Sequence, residues 1–348
     1  MALIKVNSRG QSASNGGRKN LIINGDMKIA QRATAATQAG NGTYDTVDRM
    51  MTWSVAGGGT FTGSQSTGHQ LATGHDTAYK VDVTGADTSI ASGDYYEILQ
   101  RIEGRNLQHL RWGTAAAKKL QVSFWVRATK TGINALFCSK QGTGTDYRNV
   151  VEYTINASDT WEHKTVEIPA LTASTIANDA STYVQVGFIL AMGSAYQSGT
   201  AGTWTTNSFY TTANAVNHMD STSNDFYVTG VQVEVGDEAT DFEHRSFGEE
   251  LTLCQRYFYK FINTGLSDQF NFYSPYSPAQ ITAGLPNSSG ICPMTFPTTM
   301  RASPTVATTI SGGTLNRQTS TPFGYVAQIG TTSTGTHYIT QYLATAEL

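Results

Sequence analysis

The sequence predicts an all-β protein: a jelly-roll β-sandwich, then a short helix, then a second, smaller β-sandwich. Three observations carry this expectation. Charged residues make up 14% of the 348-residue chain, against roughly a quarter in ordinary domains. Gly (34 residues) and Thr take their place; Thr, Val, Tyr and Phe favour strands, while Gly punctuates turns. Short runs alternate apolar and polar residues, the period-2 mark of strands with one wet face. These runs succeed one another without helices between them, the pattern of a sandwich or jelly roll. No tandem repeat sets a fixed period, which argues against a propeller or β-helix.

Residues 1–19 (MALIKVNSRGQSASNGGRK) carry Lys5, Arg9, Arg18 and Lys19 and no acid. A short apolar start, Leu3, Ile4 and Val6, gives way to Ser, Gly and Asn, the composition of a flexible arm. Such an arm anchors a protein when its few apolar residues add a strand to a partner or fill its groove.

Residues 20–246 read as the first sandwich. Leu21-Ile22-Ile23 precedes an Asn24-Gly25 turn signal. Alternating runs follow at 79–83, 120–126, 150–155, 165–168, 184–190 and 226–235. Trp125 alternates within an apolar strand and is expected in the core, and Trp161 follows a turn and is expected to start a strand.

A linker over 247–260 holds the best helix candidate, GEELTLCQRYF at 248–258. Glu249 and Glu250 suit a helix N-terminus. Leu251, Cys254, Tyr257 and Phe258 fall on one apolar stripe. Three turns are marginal alone, so the stripe is expected to pack on the sandwich or on symmetry copies of itself. Residues 261–348 restart the β pattern, with Phe270 to Tyr276 as an aromatic run and a clean alternation at 337–343.

Composition excludes several function classes. Net charge is −3 and basic residues pair only sparsely, as at Arg18-Lys19 and Lys118-Lys119, whereas phosphate neutralisation needs a basic stripe. No partner nucleic acid is therefore expected. There is no run of 18 apolar residues and no apolar h-region near the start, so neither membrane insertion nor a signal peptide is expected. Cys138, Cys254 and Cys292 are odd in number and lack CxxC spacing, which argues against a disulfide framework and fits assembly in a reducing cytoplasm.

Five segments carry a family resemblance: NLIINGDMKIAQR (20–32), YYEILQRIEGRNLQHLRWG (95–113), KKLQVSFWVRATKTG (118–132), TGVQVEVGDEATDFEHRSFGEELTLCQRYF (229–258) and FPTTMRASPTV (296–306). Together they resemble the jelly-roll domain of bacteriophage tail-fibre and related virion proteins. The resemblance implies a virion protein, assembled as a homotrimer, with the N-terminal arm held by other virion proteins and the sandwiches facing outward. It implies multivalent attachment to host cell-surface polysaccharide. The alternative it allows is a capsid decoration (head fibre) or tail adaptor protein with a purely structural role.

The opening also resembles carbohydrate-binding jelly rolls of the galactose-binding type. In those, an acid after the first strand and an acidic pair in the closing strand hold a structural calcium, which takes six to eight oxygens. Asp26 matches the first acid. Lys28 stands where a second acid would help, and Thr229-Gly230 stand where the pair would be. Asp26 is thus a weak calcium candidate, and a turn-pinning role suits it better. No other cofactor is expected. Asp48-Arg49, near Asp45, reads as a structural ion pair.

Sugar binding needs aromatic faces for the CH faces of pyranoses and planar polar groups for their hydroxyls. The candidates are Trp53, Tyr95, Tyr96, Trp112, Trp204 and Tyr210; the last two lie in a long Gly/Thr/Asn-rich stretch, 194–216. Nothing in the sequence pairs two carboxylates as glycoside hydrolysis requires. There is no GxSxG motif, and the seven His residues show no HxH or HExxH spacing. No catalytic residue and no enzyme activity is expected.

Overall fold

The structure is a computed structural model that describes residues 18–37, 42–55, 58–198, 200–262, 271–274, 289–311, 313–331 and 335–348. The arm residues Leu3, Ile4, Val6 and Arg9 lie outside the described residues, as do Phe270 and Tyr276.

Two antiparallel sheets face each other in the larger part. The first orders its strands β1 (Ala35–Thr37), β3 (Thr60–Thr67), β4 (Thr77–Gly85), β13 (Asp225–Val235), β6 (Leu120–Ala128) and β9 (Glu162–Ile168). The second orders β2 (Met51–Val55), β5 (Tyr95–Glu103), β10 (Thr182–Met192), β7 (Gly132–Lys140) and β8 (Tyr147–Ile155). This is the jelly-roll sandwich that the alternating runs anticipate. Between the sheets, Phe124 meets Phe188 at 4.9 Å and Tyr153 at 5.0 Å between ring centroids. Those separations are ordinary for edge-to-face aromatic packing.

The opening segment is tied to the closing strand. Leu21 N–H donates to Val233 O and Val231 N–H donates to the Gly25 carbonyl, each at 2.8 Å. Residues 22–24 form bends instead of the strand expected at 21–23. The cause is local: Asn24 sits at φ 61° and its side chain bonds Ile29 and Asp48 backbone groups. Asn tolerates that left-handed conformation better than most residues. At Gly25 an added Cβ would lie 2.2 Å from the Val231 carbonyl oxygen.

Helix α2 runs Phe247–Gln255, after a single-turn α1 at Gln70–Thr73. A capping box starts α2: Ser246 accepts from Glu249 N–H, and the Glu249 side chain reaches back to the Ser246 backbone. The helix ends earlier than the expected residue 258, because Phe258 begins strand β14 (Phe258–Ile262). Its stripe is consumed within the chain. Cys254, Tyr257 and Phe258 are buried, Leu251 is half-buried, and none of the first three is left for a symmetry copy. Arg49 lies 3.6 Å over the Tyr257 ring and Arg32 lies 3.7 Å over Phe258.

Two short strands, β11 (Gln197–Ser198) and β12 (Thr211–Thr212), pair in parallel, and the strands after α2 form two further antiparallel sheets. In one, β20 (Gly335–Thr345) pairs with β14 and β15 (Asn271–Ser274) on one side and with β17 (Thr305–Ser311) on the other. The other orders β16 (Ser289–Thr295), β19 (Gly324–Thr331) and β18 (Gly313–Thr321). Met294, Phe296, Met300, Val306, Tyr325, Ile339 and Tyr342 form their common core.

Charged contacts dock this unit on the jelly roll. Arg49 and Arg32 pair with Glu347, the latter at 2.9 Å. Arg301 donates to the Ala180 carbonyl at 2.7 Å and Arg101 to the Leu348 carbonyl at 2.8 Å. The expected Asp48–Arg49 pair does not form. Asp48 accepts from Gln31 and Arg49 turns the other way to Glu347, because consecutive residues point to different sides of the chain here, Arg49 at φ 71°.

Candidate functional site

The outer face of the five-stranded sheet is apolar, which an unoccupied wet face would not be. Met51, Leu99, Ala135, Phe137, Val150, Ile189 and Met192 form a second buried cluster there. The 194–216 stretch covers it. Tyr210 N–H donates to Tyr196 O at 2.9 Å, Thr205 and Arg148 exchange backbone bonds, and Val216 N–H donates to Ile133 O. Tyr210 packs edge-on against Phe137 at 5.1 Å and Tyr196 against Tyr95 at 5.5 Å. The loop thus packs its own aromatics on the sheet.

The cover is incomplete. A cavity of about 170 Å³ remains, lined by Trp53, Tyr95, Glu97, Gln141, Gln185, Met192, Tyr196, Ser208 and Tyr210. It is smaller than the roughly 300–1,000 Å³ of drug-sized ligand sites, which suits one ring or one chain end. Strand pairing sets its floor: Trp53 on β2 lies directly across from Glu97 on β5, which lies across from Ile189 on β10. Side chains opposite one another project from the same face.

The polar groups of the cavity are poised unevenly. Burial pushes the Glu97 carboxyl up to about 8, with Arg101 pulling the other way. At neutral pH it is therefore a protonated donor as well as an acceptor. Arg101 lies 4.9 Å over the Trp53 ring and covers one of its faces. The Trp53 Nε1–H is buried and has no hydrogen-bond partner among the described residues. The Gln185 side-chain oxygen Oε1 accepts from Gln141 Nε2 and Ser139 Oγ, at 3.1 and 3.2 Å. Arg148 Nε donates to the Tyr210 hydroxyl at 3.2 Å.

Three of the six aromatic candidates come together here: Trp53, Tyr95 and Tyr210. The other three turn inward. Tyr96 is fully buried and its hydroxyl donates to Asp87 while accepting from Gly59 N–H. Trp112 is buried, donates to the Lys118 carbonyl and meets Trp204 edge-on at 5.3 Å. Trp204 in turn donates to the Pro169 carbonyl and packs on the core. Tyr95 and Tyr96 divide as neighbours on a strand must. Trp125, expected in the core, lies on the outer face of the six-stranded sheet with its ring 5.2 Å from His163. Trp161 immediately precedes β9, as expected.

Gln185, Tyr196 and Met192 carry no site signal in the sequence, and Glu97 is one of several acids that nothing there pairs. Only Glu97 carries a signal there, an acid inside an otherwise apolar strand run, YYEIL.

Asp26 is buried and pairs with Lys28 at 2.5 Å. One of its carboxylate oxygens and one ring nitrogen each of His75 and His244 lie within 4.8 Å of one another. No helix among the described residues is long and apolar enough to cross a membrane.

No protein-family model and no curated protein matches the chain. Solved structures similar to it include the enzymatically active domain of bacteriophage CBA120 tailspike protein 4, at 10% identity and TM-score 0.30 over 62% of this chain and 21% of that one. TmCBM61 in complex with β-1,4-galactotriose is similar at 10% identity and TM-score 0.30, over 63% of this chain and 100% of that one. A family 11 carbohydrate-binding module from Clostridium thermocellum, in complex with a β-1,3-1,4-mixed-linked tetrasaccharide, gives 13% and 0.27 over 65% and 97%. The present chain spans about a fifth of the tailspike domain's length.

Proposed function

We propose that this chain is a non-catalytic glycan-binding protein whose site is the cavity between Trp53 and Tyr210. The observation that carries the reading is the pairing of aromatic rings with unsatisfied or invertible polar groups at one small opening. Trp53, Tyr95, Tyr196 and Tyr210 supply apolar faces, while Trp53 Nε1–H, protonated Glu97 and Gln185 supply donors and acceptors. Pyranose rings present CH faces and hydroxyl edges, so both halves of the cavity find a match. Among the described residues Glu97 is the one carboxylate lining it; glycoside hydrolysis uses two. This lining supports a reading of binding without turnover.

The finer reading is a bacteriophage tail-fibre protein, held to the particle by its N-terminal arm and presenting this site to host polysaccharide. It is supported by the five resembling segments. One monosaccharide-sized site binds weakly, and a trimeric fibre would multiply such contacts through effective concentration.

The test is binding of the purified protein to host cells and to a panel of oligosaccharides, alongside its ability to block adsorption of the parent phage. Saturable binding that competes with phage supports both levels. Glycan binding without blocking supports the site and removes the fibre role. Absence of both, in folded protein, overturns the reading in favour of a decoration or adaptor protein.

A further inference from the structure

A second constellation lies outside the cavity. Asp26 belongs to the turn after the opening segment, His75 lies between α1 and β4, and His244 follows β13 in the closing segment. Their three candidate ligand atoms lie within 4.8 Å of one another. Two buried polar atoms in this cluster have no hydrogen-bond partner among the described residues: Asp26 Oδ1 and His75 Nδ1. Asp26 is 3% exposed and His75 5%. Such atoms occur elsewhere among the described residues, but these two lie together within a group of metal-ligating side chains, and an ion is one explanation for a buried polar atom left unpaired.

We propose that Asp26, His75 and His244 form a binding site for a zinc-class divalent ion. The donor set decides the class. Calcium takes six to eight oxygens; here one carboxylate is joined by two imidazoles, which suit zinc and its neighbours. The closing strand offers no acid at this point. It offers Gly230, at φ 59° beside the register shift between Thr229 and Gln232. An added Cβ there would lie 2.6 Å from His75 Nε2, so the missing side chain is what admits the imidazole.

Tetrahedral zinc holds its ligands at about 2.0–2.2 Å. The cluster must therefore contract, and His244, exposed at the surface, is the member able to move. Its ring is already stacked on His75 at 5.5 Å, with Phe242 edge-on to both at 4.7 and 5.1 Å.

One cation already faces the site. Lys28 occupies the other Asp26 oxygen and is 32% exposed, so it can swing into water when a metal arrives. His163 is a further charge-capable group whose charge reaches His75. A bound ion would staple the opening segment, the α1–β4 turn and the closing segment together. The site is independent of the glycan cavity on the other sheet.

The experiment uses the whole, untagged protein stripped with a chelator and titrated with Zn²⁺, by calorimetry and by thermal unfolding. The expected result is one equivalent bound and a raised midpoint. His244→Ala should weaken binding by more than the about 10- to 100-fold typical of outer-shell partners, and its surface position keeps the fold intact. Lys28→Gln should tighten binding, while His163→Ala should leave it unchanged. Unchanged affinity in His244→Ala, no zinc binding by the folded protein, or binding of Ca²⁺ in preference to Zn²⁺ would each overturn the proposal.

Discussion

Arg256 grips the buried carboxylate of Glu103 with two hydrogen bonds of 2.9 Å each, one to each oxygen. Tyr257 adds a third at 2.6 Å, and Arg105 approaches to 3.2 Å. Glu103 ends strand β5 of the jelly roll, and Arg256 caps helix α2. One fully buried acid therefore fixes how the helix, and the sheets that follow it, meet the sandwich.

Replacing that acid leaves Arg256 with no buried counter-charge. Glu103→Gln should cost about 3–5 kcal/mol of stability, the range for breaking a buried pair from one side. Urea unfolding measures it. A loss below 1 kcal/mol would mean the pair is not what holds the two parts together.

The glycan cavity predicts a pH dependence. Glu97 titrates near 8 in the folded protein against its ordinary 4.5. The folded state therefore holds a proton that the unfolded chain has released across that interval. Stability should fall as pH rises from about 4.5 to 8, then level off. Glu97→Gln should flatten this part of the profile and raise stability at pH 8. Denaturant midpoints at pH 5 and pH 8 for both proteins decide the matter; parallel profiles would refute the assignment.

Removing an aromatic wall should weaken sugar binding selectively. Trp53→Ala should lower affinity for a bound oligosaccharide about tenfold or more, equivalent to about 1.4 kcal/mol. Trp125→Ala, on the opposite sheet, should leave affinity unchanged. Calorimetric titration of both variants separates them, and equal losses would place the site elsewhere.

The opening segment should resist even a methyl group. Gly25→Ala would drive a Cβ to within 2.2 Å of the Val231 carbonyl oxygen and disturb the bond from Val231 N–H. A cost of about 1–3 kcal/mol follows from overpacking of this kind. Thermal unfolding checks it, with Gly248→Ala in α2 as a control where an added Cβ meets nothing.

By itself the sequence determined where the alternating strands β4, β6, β8, β9, β10, β13 and β20 run, where α2 starts to within a residue, and that the chain is all-β. Those features are local: alternation follows the pleat, and Ser246 with Glu249 writes a capping box into four consecutive residues. Alternation also says that Tyr95 and Tyr96 face opposite ways. It cannot say which of the two faces is the core when both faces of the sheet are apolar, and so Tyr96, Trp112 and Trp204 could not be separated from Trp53, Tyr95 and Tyr210. That was decided only when the 194–216 loop covered the outer face and left a gap. The helix stripe was likewise visible as a stripe, but its partner, the jelly roll with Arg49 and Arg32, was not. His75 and His244 show no spacing signal because tertiary packing, not sequence, makes them neighbours. Contacts between distant segments depend on how sheets register and pack, and that information resides in the whole fold.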